Sequence, residues 1–303
     1  MNVTVVALGG NALVENNDVT IHEQRKNIRS TVQTIASIHD RSDGLLITHG
    51  NGPQVGELLL QTQQTESETP LDVLVAESQA QIGYLLQQEL ANVLESSPST
   101  VITQTLVEAS DPAFDNPTKP IGPYYTENEA KKKDFPVKEV TMGQNTTAYQ
   151  RVVPSPDPIE IIESDQISHL VDIGVPTVCV GGGGIPVIKE NEEFQGVEAV
   201  VDKDRATALM AGHISADQLL ILTDVDAAYR NFGTEQQEKI ASMTPKEAKN
   251  LLKAGEFGEG TMAPKIEASI NYVRETDNRA IITSINKAKQ ALMGNAGTII
   301  TNE

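Results

Sequence analysis

The stretch "VTVVALGGN", residues 3–11, carries a β-branched apolar run straight into two glycines and an asparagine. The pattern recurs. "GLLITHG" at 44–50 runs into a second glycine loop, and "PTVCVGGGG" at 176–184 into a third. Further strand-like runs are "TVITQTLV" at 100–107, "QLLILTDVD" at 218–226, "RAIITS" at 279–284 and "GTIIT" at 297–301. Longer helical patterns lie between them, at His22 to Ile38, Gln54 to Gln63, Leu71 to Leu94 and Lys287 to Met293. Short strands alternating with helices predict parallel βαβ units and an α/β fold.

The middle breaks the rhythm. From Asp111 to Pro158 prolines are frequent and periodicity is poor, although "NPTKPIGPYY" at 116–125 supplies two tyrosines and rigid turns. We expect a small inserted subdomain there, with the charge run Lys131 to Asp134 as a solvated face.

At 303 residues the chain buries an ample core as one large domain or two modest ones. The formal net charge of −19 argues against nucleic acid or an anionic membrane as the main partner. An anion site on so acidic a chain needs local lysine, arginine or helix ends. The single cysteine, Cys179, excludes an internal disulfide and a CxxC zinc site, and reads as a buried strand residue. The N-terminus lacks a secretory signal, and no apolar run approaches the ~20 residues of a membrane span. A soluble cytoplasmic protein is expected.

Three glycine loops at strand ends fit the crevice beyond the carboxyl ends of a parallel sheet. Glycine lets backbone N–H groups close on an anion, and it equally serves a tight turn. Familiar nucleotide motifs are absent: there is no Walker P-loop and no HRD or DFG. "GNGPQVG" is one residue too long for a dinucleotide fingerprint, and H-E-x-x-H is missing. Of five histidines, only His49 lies in a glycine loop.

The basic residues are more telling. Lys203 starts a helix within "VVDKD", where a cation opposes the helix dipole by roughly 0.3–1 kcal/mol. Lys265, in "TMAPKIEA", stands just inside another helix start after Pro264, and Lys119 is held between prolines. Each alone reads as solvated surface. Beside glycine loops the set favours phosphate handling, because ammonium and helix dipole then act on one anion. Thr223, Asp224 and Asp226 end a strand, either as a capping turn or as a rim for a nucleotide or metal-bound phosphate.

In chain order, "VVALGGNAL", "THGNGPQVG", "DPAFDNPTKPIGPYY", "RVVPSPDP", "GGGGIPVI", "GVEAVVDKD", "LLILTDVD" and "TMAPKIEA" resemble the carbamate kinases of the amino-acid kinase superfamily. The resemblance implies a three-layer αβα sandwich around a mainly parallel sheet, forming one domain. Its N-terminal half, about 1–195, would bind carbamate and its C-terminal half, about 196–303, the nucleotide. A protruding subdomain at about 115–150 would cover the carbamate side. The family joins ATP and carbamate reversibly into carbamoyl phosphate and ADP, with Mg²⁺ held mainly by the nucleotide phosphates. It works as a cytoplasmic homodimer, typically ending arginine or agmatine breakdown.

Carried over by motif, Gly9, Gly10, Asn11, Gly50, Asn51 and Gly52 would surround the moving phosphoryl group. Lys119 would reach carbamoyl phosphate, Lys203 and Lys265 would contact phosphate oxygens, and Asp204 would hold those lysines. Thr223, Asp224, Val225, Asp226, Tyr229 and Met262 would line the adenosine site; no residue is assigned to a metal. The chain departs from the family pattern at Ala80, Ala227 and Ala263, and Met142 to Gln150 lack the expected glycine- and arginine-rich lead-in. Alternatives are a sister kinase for acetylglutamate, glutamate or UMP, and a catalytically silent sensor of nucleotide or carbamoyl phosphate.

Overall fold

A computed structural model describes residues 1–10, 13–14, 19–65, 69–142, 146–258 and 261–302. Its centre is an eight-stranded sheet. In spatial order the strands are Ser242–Met243, Thr298–Ile300, Arg279–Ser284, Gln218–Thr223, Val3–Leu8, Gly44–His49, Thr177–Val178 and Ser99–Thr100. Neighbours run parallel except Arg279–Ser284 with Thr298–Ile300, which are antiparallel.

The apolar runs are continuous because both faces of the sheet are covered. Val3, Val5 and Ala7 point into one core with Leu219 and Ile221, under the helices Ser164–Asp172, Lys203–His213 and Ala263–Thr276. Val6 and Leu8 point into the other with Leu220 and Leu222, under Ile21–His39, Leu71–Ala91 and Ala288–Leu292. Alternation along each strand thus builds helix, sheet and helix layers.

Two expected strands are shorter than their sequence suggests. The run at 100–107 splits: Ser99–Thr100 stays in the central sheet, while Gln104–Val107 joins a second sheet with Pro158–Ile161, Ile185–Glu190 and Glu193–Gly196. Thr103 marks the departure, because its N–H donates to Gln79 Oε1 at 2.5 Å and its hydroxyl accepts from the Val180 N–H at 3.0 Å. The run at 176–184 pairs only through Thr177 and Val178 before the glycines turn.

Lys119–Tyr125, Val137–Met142 and Thr146–Val153 form a separate antiparallel sheet with Thr146–Val153 between the other two. It ends beyond the expected Gln150. The charge run is not wholly solvated, since Lys133 Nζ sits 4.4 Å from the centre of the Tyr125 ring. No described helix is long and apolar enough to cross a membrane.

Candidate functional site

Loops from the parallel strands meet at one edge of the central sheet. Gly9 follows Val3–Leu8 so closely against the next strand that its N–H donates to the Leu222 carbonyl at 3.0 Å. A Cβ on Gly9 would sit 2.9 Å from that oxygen, which explains glycine there. The Gly50 N–H donates back to Leu8 O at 3.1 Å, bringing the second loop beside the first. Asn51 is buried and donates from Nδ2 to Ser78 Oγ at 2.8 Å. Gly182, at φ +65°, packs against it so tightly that a Cβ would lie 2.3 Å from the Asn51 side chain. The third glycine loop therefore sets the second.

Two helices point their starts at this edge. Lys203–His213 is capped by Asp202, whose Oδ1 accepts from the N–H groups of Asp204 at 2.9 Å and Arg205 at 3.3 Å. Small residues such as Ala206, Thr207, Ala208 and Ala211 let it sink between the sheet and the helix Ala263–Thr276. That second helix has no side-chain cap; its Ala263 N–H donates to the Gly258 carbonyl at 3.1 Å, and Pro264 has no N–H to satisfy.

The lysines are held by a shared set of carboxylates. Asp204 receives Lys203 Nζ on Oδ1 at 2.5 Å and Lys265 Nζ on Oδ2 at 3.0 Å. Lys119 Nζ donates to Asp202 Oδ2 at 2.8 Å. Burial pulls the Lys203 ammonium below the ordinary lysine value; the Asp204 charge opposes this and the Lys265 charge adds to it. Burial pushes the Asp202 carboxyl up, yet Lys119, aided by Lys203 and the Arg205 N–H, holds it at about 2. His49 is buried and its Nδ1 donates to the Gly50 carbonyl at 3.0 Å. Burial above all lowers its pKa to about 4, so it is neutral at pH 7 and acts as scaffold beneath the loop.

Three cavities adjoin here, and Thr261 lines all of them. One of about 350 Å³ holds Lys119, Gly50, Asn51, Gly52, Asp202 and Asp204. The middle one, about 370 Å³, is lined by Gly9, Gly10, Lys203, Lys265, Thr223 and Asp224. The third, about 280 Å³, is mostly apolar and is walled by Val225, Tyr229, Phe232, Phe257 and Met262.

Of the residues that the resemblance assigns to the site, all the described ones but Asp226 line these cavities; Asn11 lies outside the described residues. Asp226 instead accepts from Ser284 Oγ at 2.5 Å, tying two strand ends together. Sequence reasoning missed Thr261, Phe232 and the pairing of Asp202 with Lys119, and it placed the loop of Gly182 at the crevice without its contact to Asn51. Phe232 carried a weak signal, as one of only five phenylalanines. Among the described residues no cluster of three or more His, Cys, Asp or Glu could hold a metal ion.

The model of the amino acid kinase family matches residues 2–284. Over 302 residues the chain is 55% identical to the carbamate kinase of Halobacterium salinarum, covering 99% of this chain and 98% of that one. It is 44% identical to the carbamate kinase of Pyrococcus horikoshii, with 98% of each chain covered. The structure of carbamate kinase from Giardia lamblia bound to AMP-PNP superimposes with a TM-score of 0.89 at 39% identity, covering 99% of this chain and 98% of that one. The chain belongs to the amino acid kinase family and, within it, to the carbamate kinases.

Proposed function

We propose that this chain transfers a phosphoryl group reversibly between ATP and carbamate, giving carbamoyl phosphate and ADP. The observation that carries the reading is the five-residue cluster of Lys119, Lys203, Lys265, Asp202 and Asp204. It stands where an apolar cavity, a glycine-lined cavity and a third polar cavity join.

Each cavity has a role in this reading. The adenine ring lies among Val225, Tyr229, Phe232 and Met262, and the phosphates run past Gly9, Gly10 and Thr223. Carbamate lies under Lys119, among Gly50, Asn51 and Gly52. Phosphoryl transfer needs alignment and neutralisation of charge on the moving oxygens more than covalent help. Lys203 and Lys265 supply that charge, glycine-loop N–H groups such as those of Gly10 and Gly52 supply dipoles, and Asp204 keeps both ammoniums aimed at one point. Carbamate is already an anion, so no general base is required; His49, neutral and buried, takes no part in proton transfer.

Among the described residues Asp224 is the one carboxylate lining the middle cavity, a single oxygen donor group suited to Mg²⁺ held mainly by nucleotide phosphates. Bound there, Mg²⁺ would take up negative charge on the phosphate oxygens. The reading extends to a homodimer, supported by exposed Tyr84 and Ile102 beside the edge strand Ser99–Thr100. It extends also to the closing step of arginine or agmatine breakdown in the cytoplasm.

The test is ATP formation from carbamoyl phosphate, ADP and Mg²⁺, with acetylglutamate, glutamate and UMP compared as acceptors in the opposite direction. Activity confined to carbamate supports the reading. Absence of ATP formation, or preference for another acceptor, overturns it.

A further inference from the structure

Asp202 divides its two carboxylate oxygens between different tasks. Oδ1 caps the helix Lys203–His213 through the N–H groups of Asp204 and Arg205. Oδ2 receives Lys119 at 2.8 Å from a strand of the small antiparallel sheet, 83 positions away in the chain. The carboxylate is nearly buried, with 12% of its side chain exposed, whereas the Lys119 side chain is 40% exposed. Fixed by two backbone donors, Asp202 is the rigid member of the pair. Lysine carries three N–H donors, so one bond to Asp202 leaves two for the cavity that both residues line.

We infer that Asp202 is a positioning residue: it fixes the Lys119 ammonium over the cavity so that the phosphoryl substrate meets an already oriented cation. This rests on the reading of Lys119 as a contact to carbamoyl phosphate. Holding a flexible lysine beforehand removes an ordering cost from binding. Asp204 does the same for Lys203 and Lys265, and the small sheet thereby gains a fixed reference point on the catalytic helix.

Substitution separates the two tasks. In Asp202→Asn the amide oxygen still caps the helix, since Asn and Asp are equivalent there. The amide NH₂ then faces Lys119 with donors and displaces it. Asp202→Ser keeps a capping oxygen and offers no second acceptor. In ATP formation, both variants are expected to raise KM for carbamoyl phosphate roughly tenfold, the typical effect of losing an orienting outer-shell group, with a smaller fall in kcat. Both should melt near the parent protein. Lys119→Met should raise KM at least as far, and adding Asp202→Asn to it should change nothing more.

A lowered KM in Asp202→Asn would mean that the carboxylate repels substrate, and an unchanged KM would leave it a cap alone. Additive effects in the double variant would mean that Asp202 acts independently of Lys119. Any of these overturns the inference. Calorimetric binding of carbamoyl phosphate to the same set keeps the two readings apart. If the parent protein forms no ATP, the proposed reaction fails while the order of Kd values still judges Asp202.

Discussion

Lys265 reaches Asp204 across 61 positions of sequence, with Nζ 3.0 Å from Oδ2, and thereby joins the starts of two helices at one carboxylate. Asp204 is 3% exposed and its other oxygen is taken by Lys203. Replacing it by alanine leaves two poorly hydrated ammoniums facing each other. Asp204→Ala is expected to lose about 3–5 kcal/mol of unfolding free energy, the usual result of breaking a buried ion pair from one side. Urea titration measures it; a loss below 1 kcal/mol, within the range of a surface pair, would mean that solvent already screens the cluster.

Lys203→Met has the opposite profile. Asp204 keeps Lys265, so no carboxylate is orphaned, and the burial cost of the Lys203 charge disappears. We expect kcat to fall roughly 10²- to 10³-fold, as when one transition-state donor is removed, while the melting temperature stays near that of the parent. The folded-state pKa of Lys203 lies below its unfolded value of 10.5, so the unfolded chain binds the proton more tightly. The parent should therefore gain stability relative to the variant as pH rises toward 10.5. Unfolding curves at neutral and alkaline pH read this slope directly, and a reversed slope would contradict the assigned burial.

Acid should act through His49. Its pKa is about 4 in the folded protein against 6.5 when exposed, so below pH 6.5 the unfolded state takes up the proton first. Stability is then lost as pH falls from 6.5 toward 4, by on the order of 2 kcal/mol at pH 5. Denaturant melts of His49→Gln and the parent at pH 7 and pH 5 test it. The variant should be the flatter of the two across this interval; equal slopes would place the acid sensitivity elsewhere.

Gly182→Ala tests how the third glycine loop sets the second. A Cβ there meets the Asn51 side chain at 2.3 Å, and φ of +65° already disfavours alanine. Asn51 must move and lose its bond to Ser78. We expect kcat/KM to fall roughly 10²-fold, the effect of about 1 Å of displacement at a site, with only about 1–2 kcal/mol of stability lost. Wild-type turnover in this variant would show that Asn51 need not be fixed.

Much of this arrangement was legible in the chain. The strands read clearly because burial on both faces makes them continuously apolar, as at Val3–Leu8 and Gly44–His49. Lys203 and Lys265 stood out because a cation at a helix start is unfavourable unless something anionic belongs there. What stayed hidden depends on distant partners. The split at Thr103 needs the Gln79 amide from another helix, and the turning of Asp226 away from the cavities needs Ser284. Asp202 carried no sign in the sequence of its second task, since its second partner lies in the inserted sheet 83 positions away. Thr261 joins three cavities only once loops far apart in the chain have been folded together.

Of the strands in the central sheet, the one earliest in chain order sits in the middle. Val3–Leu8 gains one neighbour when Gly44–His49 emerges, but its other flank waits for Gln218–Thr223, whose Gln218 amide bonds Thr4 across 214 positions. Until Gln218–Thr223 is made, the growing polypeptide therefore carries an open, apolar sheet edge. The glycine turn at its tip has no opposing wall during that time. Closure waits on contacts 214 positions apart, and with contacts so distant it is a slow event. Catalytic competence thus waits on Gln218–Thr223 as an all-or-nothing step, and truncations before residue 223 should leave a sticky half-sheet without a partial enzyme.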